Sequence, residues 1–362
     1  MKPAAYVLLD FAAMQHNYAV VRQHAPRAKI MAVIKGNGYG HGLLRVAESL
    51  PKADAFAVAR VDEGIRLRKA GVTKKIIVLE GFTFEDELSA LINFQLDVLV
   101  HSPHQLVFLQ RREEKKQVSV WLKLDTGMNR LGFKIAEFTQ AYTDLMRCSV
   151  LKKPINLMTH LASADDKHDP KTQQQIQLFT DTLGNLPGER SIANSAGILG
   201  WKEAITDWVR PGVMLYGISP FVEVTAQHLN LKPVMSLHSR LIAVKPIAKH
   251  ETVGYAGSWV APYATLLGVI SIGYADGYPR TAKSGTPVLV NGQRVPLVGR
   301  VSMDMITVDL HTQAHAKPGD PVVLWGEHLP VEEIALSSQT IPYTLVCGIT
   351  QRVRQFDSSW LT

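Results

Sequence analysis

The chain has 362 residues, 46% hydrophobic and 20% charged, an ordinary globular composition with length for about two domains. Its net charge of +7 is scattered, and the densest run, RREEKK (111–116), alternates in sign and reads as a solvated helix end, so no nucleic-acid partner is indicated. Two cysteines build no disulfide framework, and MKPAAYVLLDFAAMQHN has no sustained apolar stretch before Asp10. A soluble, cytoplasmic protein without a membrane span is expected, with a mild preference for anionic ligands.

In chain order, short apolar runs recur between residues 28 and 217. They are KIMAVI (29–34), DAFAVA (54–59), KKIIVLE (74–80), LDVLV (96–100), VSVWLKL (118–124), INLMTHL (155–161), RSIAN (190–194) and GVMLYG (212–217). Amphipathic stretches separate most of these eight candidate strands, as in VDEGIRLRKAG (61–71), EDELSALINF (85–94) and TQQQIQLFTDTLG (172–184). Apolar runs alternating with helical patterns predict a parallel sheet covered by helices. Eight such units predict an α/β fold, a (β/α)8 TIM barrel. The helix between the seventh and eighth strands must be short.

After Ser219 strand-like runs follow one another with turn signals, the clearest being Asn291-Gly292, suited to a type I′ hairpin. This predicts a C-terminal, mostly antiparallel β domain with its boundary in 218–236. The division expected is residues 8–230 for the barrel and 231–362 for the β domain, with residues 1–7 packing on the latter.

MAVIKGNGYGHG (31–42) is the stretch from which the chemistry is read. Its glycines fail the dinucleotide fingerprint, because His41 holds the sixth position counted from Gly36. They also fail the P-loop pattern, because Lys35 precedes them. A plain tight turn with a surface lysine would account for them equally well. The barrel decides otherwise: the C-terminal ends of barrel strands are where barrel active sites are built, and Lys35 ends the first of them. An amine held there is suited to covalent catalysis through a Schiff base.

AVIKGNGYGHG resembles the pyridoxal-phosphate attachment motif of alanine racemases. The resemblance runs through LKLDTGMNRLG (122–132), MTHLASAD (158–165), NSAG (194–197), VRPGVMLYG (209–217), VGYAGSW (253–259), GYADGYPR (273–280), GRVSMDM (299–305) and IPYTLVCGI (341–349). Many members of that family carry alanine at the positions of Gly36 and Gly38, a change of little chemical consequence. The resemblance implies a homodimer whose active sites are shared between subunits, pyridoxal 5′-phosphate as cofactor and no metal.

It also implies roles. Lys35 would carry the cofactor covalently and act as a base on one face of the substrate Cα; Tyr255, from the neighbouring subunit, would act on the other. Arg210 would face the pyridine nitrogen; being donor-only, it disfavours protonation there, weakens the electron sink and discourages transamination. His160 would join the same network. Tyr39, Ser195, Tyr343 and the backbone of Gly212 and Val213 would contact the phosphate. Arg130, with the backbone N–H of Met303 contributed by the neighbouring subunit, would take the substrate carboxylate. Lys123, inside an apolar strand, is a candidate for carbamylation, and Asp165, Tyr274 and Asp304 would line the entrance. Alone, Tyr255 reads as a packed aromatic, His160 as a core histidine and Ser195 as a helix cap.

The implied activity is interconversion of L- and D-alanine for peptidoglycan synthesis. The alternatives are a serine or broader-specificity racemase on the same scaffold, a related decarboxylase, which Arg210 opposes, and a non-catalytic cofactor carrier, which the β domain and Tyr255 oppose.

Overall fold

The computed structural model describes residues 3–112 and 116–361, so Glu113, Glu114 and Lys115 of the RREEKK run lie outside the described residues. The chain divides into two compact units. One comprises Asn17–Leu215 and Pro220–Glu223; the other gathers the residues up to His16, Tyr216–Ser219 and those from Val224 onward.

The first strand, β1 (Tyr6–Leu9), belongs to the second unit. The next eight close a barrel in the first: β2 (Lys29–Val33), β3 (Ala55–Val58), β4 (Lys75–Val78), β5 (Asp97–Val100), β6 (Val120–Lys123), β7 (Asn156–Met158), β8 (Arg190–Ser191) and β9 (Trp208–Val209). Each is parallel to its neighbours, and β9 returns to β2 through Lys29↔Trp208 and Ile30↔Val209. The amphipathic stretches are helices, among them Val61–Lys69, Glu85–Asn93 and Lys171–Leu183. In the last, Thr172, Gln175, Ile176, Phe179 and Leu183 form the buried stripe that helical spacing dictates. The helix expected to be short is Ser195–Gly200.

The eighth strand departs from expectation. GVMLYG is not a strand; β9 lies four residues earlier, and Val213–Tyr216 is a buried 3-10 turn. Pro211 has no N–H to extend a ladder. The Gly212 N–H goes to Ser195 Oγ at 2.9 Å, and the Leu215 N–H closes back on the Gly212 carbonyl. Burial alone made this run apolar, and a buried turn and a buried strand look alike in that respect.

At the N-terminal end of the barrel, Asp97 begins β5 with 9% exposure, and its Oδ2 has no hydrogen-bond partner among the described residues. Burial pushes its carboxyl up to about 6, against the pull of Lys75, Lys152, Arg68 and Ser119. The folded state therefore binds this proton more tightly than the unfolded chain, and stability falls as the pH rises from about 4 to about 6. Asp97→Asn is expected to stabilise the protein by about 2–3 kcal/mol at pH 8, shrinking toward zero below pH 4. Urea unfolding across that range checks it; an equal gain at every pH would refute the cause.

The second unit is built on an eight-stranded sheet. β10 (Met235–Ile247) is its spine, and β11 (Thr252–Val253) and β12 (Trp259–Val260) form a separate small hairpin. The remaining strands are β13 (Thr265–Ile270), β14 (Pro287–Val290), β15 (Gln293–Pro296), β16 (Ile306–Asp309), β17 (Pro321–Trp325) and β18 (Arg354–Asp357). β1 lies between β10 and β18, antiparallel to the first and parallel to the second; all other pairings are antiparallel. Asn291 and Gly292, at φ 50° and 77°, make the two-residue turn between β14 and β15 that a type I′ geometry requires.

Candidate active site

Lys35 stands two residues past Val33, the end of β2, with Ile34 between them, and the chain then turns with the opposite hand. Gly36, Asn37, Gly38, Tyr39 and Gly40 all have positive φ, between 50° and 83°. Four of these five residues are glycine or asparagine, because a left-handed turn crowds an ordinary Cβ. Gly38 has a second reason: a Cβ there would meet Val46 Cγ2 at 2.8 Å. The turn is pinned from the next βα unit by Glu63, whose Oε1 accepts the Asn37 N–H at 3.2 Å while Oε2 accepts the Ala59 N–H at 2.9 Å. Asn37 Oδ1 in turn accepts the Leu43 N–H. The Tyr39 hydroxyl lies 2.6 Å from where a Gly212 Cβ would sit, so a side chain at 212 would push that hydroxyl aside.

Arg210 follows β9 and is 4% exposed. Nη1 donates to Ser191 Oγ at 2.6 Å, and Nη2 serves the carbonyls of Thr159 (2.6 Å) and Ile192 (3.1 Å) and His160 Nδ1 (3.2 Å). A guanidinium only donates, so His160 Nδ1 accepts, and the neutral ring carries its proton on Nε2. Burial holds the His160 imidazole well below its ordinary range, reinforced by the positive charges of Arg210, Lys123, Arg130 and Lys35. Burial likewise brings Arg210 down to about 10. Its Nε–H has no partner among the described residues and remains available to an acceptor.

Lys123 ends β6 and is 6% exposed, and its ammonium has no hydrogen-bond partner among the described residues. Burial, then Arg210 and Arg130, bring its ammonium down to about 8, with Asp125 opposing and Lys35 adding slightly. Lys35, Lys123, Arg130 and Arg210 thus concentrate positive charge at the C-terminal ends of the strands, with Asp125 as the opposing carboxylate. Arg130 is exposed in the loop after β6, and Asp165 is exposed after β7. Ser195 Oγ accepts the N–H groups of Gly212 and, at 3.4 Å, Met214; the Val213 N–H is unpaired among the described residues.

Four supporting residues escaped the sequence reading: Glu63, Thr159, Ser191 and Gln175. Gln175 is 1% exposed; its Nε2 donates to Thr126 Oγ1 and the His160 carbonyl, and its Oε1 accepts the Ala162 N–H. It braces the ends of β6 and β7 from a helix. Its position on the buried stripe of that helix was the available signal.

The other expected residues belong to the β unit. Tyr255 opens a 3-10 turn between Gly254 (φ 75°) and Ala256 (φ 60°) and is 65% exposed. Tyr274 and Met303 lie on adjoining segments: the Tyr274 N–H donates to the Ser302 carbonyl and the Ala275 N–H to the Met303 carbonyl. A Cβ at Gly273 would fall 2.2 Å from that Met303 oxygen, so the approach demands glycine. The Met303 N–H is unpaired among the described residues. Asp304 pairs with Arg352 at 2.8 Å, and Arg352 reaches Asp276 at 3.4 Å. Tyr343 lies in the first turn of the helix Pro342–Cys347.

Comparison with known proteins places this arrangement. Residues 9–220 match the family description of the alanine racemase N-terminal domain and residues 234–356 that of the C-terminal domain. An alanine racemase of Shewanella sediminis is 50% identical over 353 residues, covering 98% of this chain and 99% of its own. The crystal structure of the biosynthetic alanine racemase from Pseudomonas aeruginosa superposes with a TM-score of 0.96 at 41% identity, over 99% of this chain and 100% of that one. The alanine racemase of Bartonella henselae, solved with covalently bound pyridoxal phosphate, has a TM-score of 0.88 at 29% identity over 98% and 100%. The chain belongs to the alanine racemase family.

Proposed function

We propose that this protein interconverts L- and D-alanine in the cytoplasm, with pyridoxal 5′-phosphate as cofactor, as a homodimer sharing its active sites, and supplies D-alanine for peptidoglycan synthesis. The observation that carries the reading is Arg210. Its buried guanidinium is fixed by four acceptors and keeps an Nε–H for one more. A ring nitrogen accepting that bond stays unprotonated. The surrounding cations suit the phosphate of the cofactor and the carboxylate of an amino acid.

When bound, pyridoxal phosphate supplies an electron sink that acidifies the substrate Cα–H. Lys35 would hold the cofactor, and its amine would take or return a proton on one face of the substrate Cα. Tyr255 of a second copy does so on the opposite face; its exposure leaves the phenol accessible. His160, neutral and hydrogen-bonded to Arg210, holds the guanidinium in place and tunes Tyr255. Tyr39, Ser195, the N–H groups of Gly212 and Val213, and Tyr343 would hold the phosphate. Arg130 and the Met303 N–H of a second copy would hold the carboxylate, and Asp165, Tyr274 and Asp304 would border the entrance. With its ammonium brought down to about 8, Lys123 offers near neutral pH a share of free amine, the form that adds to carbon dioxide. The resulting carbamate would turn a buried cation into an anion facing Arg130.

The test is a racemisation assay by chiral chromatography, with added cofactor, across alanine, serine and larger amino acids. Alanine is expected to be converted fastest. Serine converted as fast would make the enzyme a broader racemase, and no conversion of any of them would sink the reading.

A further inference from the structure

The loop from Asp125 to Lys134 is closed by one ion pair. Asp125 has a 4% exposed side chain, and its Oδ1 accepts the N–H groups of Gly127 and Asn129, both at 3.0 Å. Its Oδ2 takes the Lys134 ammonium at 2.6 Å, and the same ammonium donates to Asn129 Oδ1. The backbone closes the loop again: the Asp125 N–H donates to the Phe133 carbonyl and the Phe133 N–H to the Lys123 carbonyl, both at 2.9 Å. Asn129 is held left-handed at φ 57°, immediately before Arg130. Arg130 itself makes no ion pair or hydrogen bond among the described residues. No described residue grips its side chain by an ion pair or hydrogen bond, so the loop that carries it sets its aim.

We infer that Asp125 and Lys134 are positioning residues that fix Arg130 for the substrate carboxylate and thereby set KM. Asp125 spends one oxygen on the two N–H groups bracketing Met128, and the other on a lysine beyond the loop. Lys134 then joins Asp125 to Asn129, the residue whose left-handed backbone presents Arg130. Removing the lysine takes the partner from Asn129 Oδ1, leaves its side chain only the long Nδ2 bond to the Gly127 carbonyl at 3.3 Å, and lets Arg130 swing. A bidentate carboxylate clamp is sensitive to such a displacement, since misplacement by about 1 Å can cost as much as ~10²-fold. The inference rests on the reading of Arg130 as the carboxylate ligand.

The experiment measures kcat and KM for L- and D-alanine in the cofactor-loaded enzyme carrying Lys134→Met, Lys134→Arg, Arg130→Lys and the double change Arg130→Lys with Lys134→Met. All are assayed below their melting temperatures. Lys134→Met is expected to raise KM about tenfold with kcat nearly unchanged and the cofactor absorbance intact. Lys134→Arg should restore KM, and the double variant should have little more effect than Arg130→Lys alone. If Arg130→Lys raises KM and Lys134→Met does not, the positioning role is overturned while Arg130 keeps its own. If Arg130→Lys leaves KM unchanged, the reading of Arg130 fails and the inference with it. Should Lys134→Met not fold, Lys134→Gln, which keeps a donor without the charge, is judged by the same outcomes.

Discussion

Arg210→Met is expected to cost about 3 kcal/mol or more of folding stability, a large effect for one side chain. Methionine fills much of the volume but leaves the buried carbonyls of Thr159 and Ile192 and the half-buried His160 Nδ1 without this donor, while Ser191 Oγ keeps only its bond to the Trp208 carbonyl. Each unsatisfied buried acceptor costs roughly 1–3 kcal/mol, and the loss of the buried charge itself offsets part of that sum. Urea unfolding at fixed pH reads the effect. His160 supplies a second readout. The Arg210 charge helps to hold its imidazole well below the ordinary range, so removing that charge raises its pKa. A ring that the wild-type protein keeps neutral then begins to protonate at a higher pH, which a proton NMR titration follows. A stability loss within 0.5 kcal/mol, roughly the range of a surface change, would contradict the buried network.

The functional half of the prediction uses Arg210→Glu. Under the proposed assignment the guanidinium keeps the ring nitrogen unprotonated, and a carboxyl in its place can share a proton with that nitrogen. Racemisation is expected to fall about 10²–10³-fold, the loss typical of removing one preorganised electrostatic contact. Pyruvate should appear as a by-product, because a stronger electron sink permits protonation away from Cα. Arg210→Glu retaining racemisation and forming no pyruvate would remove Arg210 from the cofactor.

Sequence and structure part company where partners come from the backbone. Lys35 was legible because an apolar strand ends at it and glycines follow, a pattern that survives without knowing any distance. The left-handed turn was not, since glycine spacing gives permission for positive φ without dictating it at five successive residues. Arg210 was legible through its neighbours, whereas two of its acceptors, the carbonyls of Thr159 and Ile192, have no residue signature at all. Glu63 looked like any acidic residue in a first helical turn; its reach to Asn37 follows from the packing of two adjacent βα loops. The barrel strands were found by apolar runs, and the eighth was misplaced because β9 is two residues long and the apolar stretch after Pro211 is buried as a turn.

Tyr255→Phe is expected to lower racemisation about 10²–10⁴-fold, the usual contribution of a positioned proton-transfer group. The loss must appear equally in both directions. L- and D-alanine are mirror images of equal free energy, so the equilibrium constant is one and kcat/KM for the two directions stays matched in any variant. Steady-state rates therefore cannot say which face was disabled, but isotope exchange can. In deuterium oxide the wild-type enzyme washes deuterium into Cα of either enantiomer. Under the two-base scheme Tyr255→Phe retains only the base supplied by Lys35, which removes a proton from one enantiomer and returns deuterium to the same face. One enantiomer should thus acquire deuterium without inverting, while the other stays protiated. The substitution removes a hydroxyl from a 65% exposed ring, so the fold and the cofactor absorbance should be untouched. Exchange into both enantiomers at the wild-type rate would show that Tyr255 moves no proton. Exchange lost from both, with the absorbance intact, would show that its role is not confined to one face.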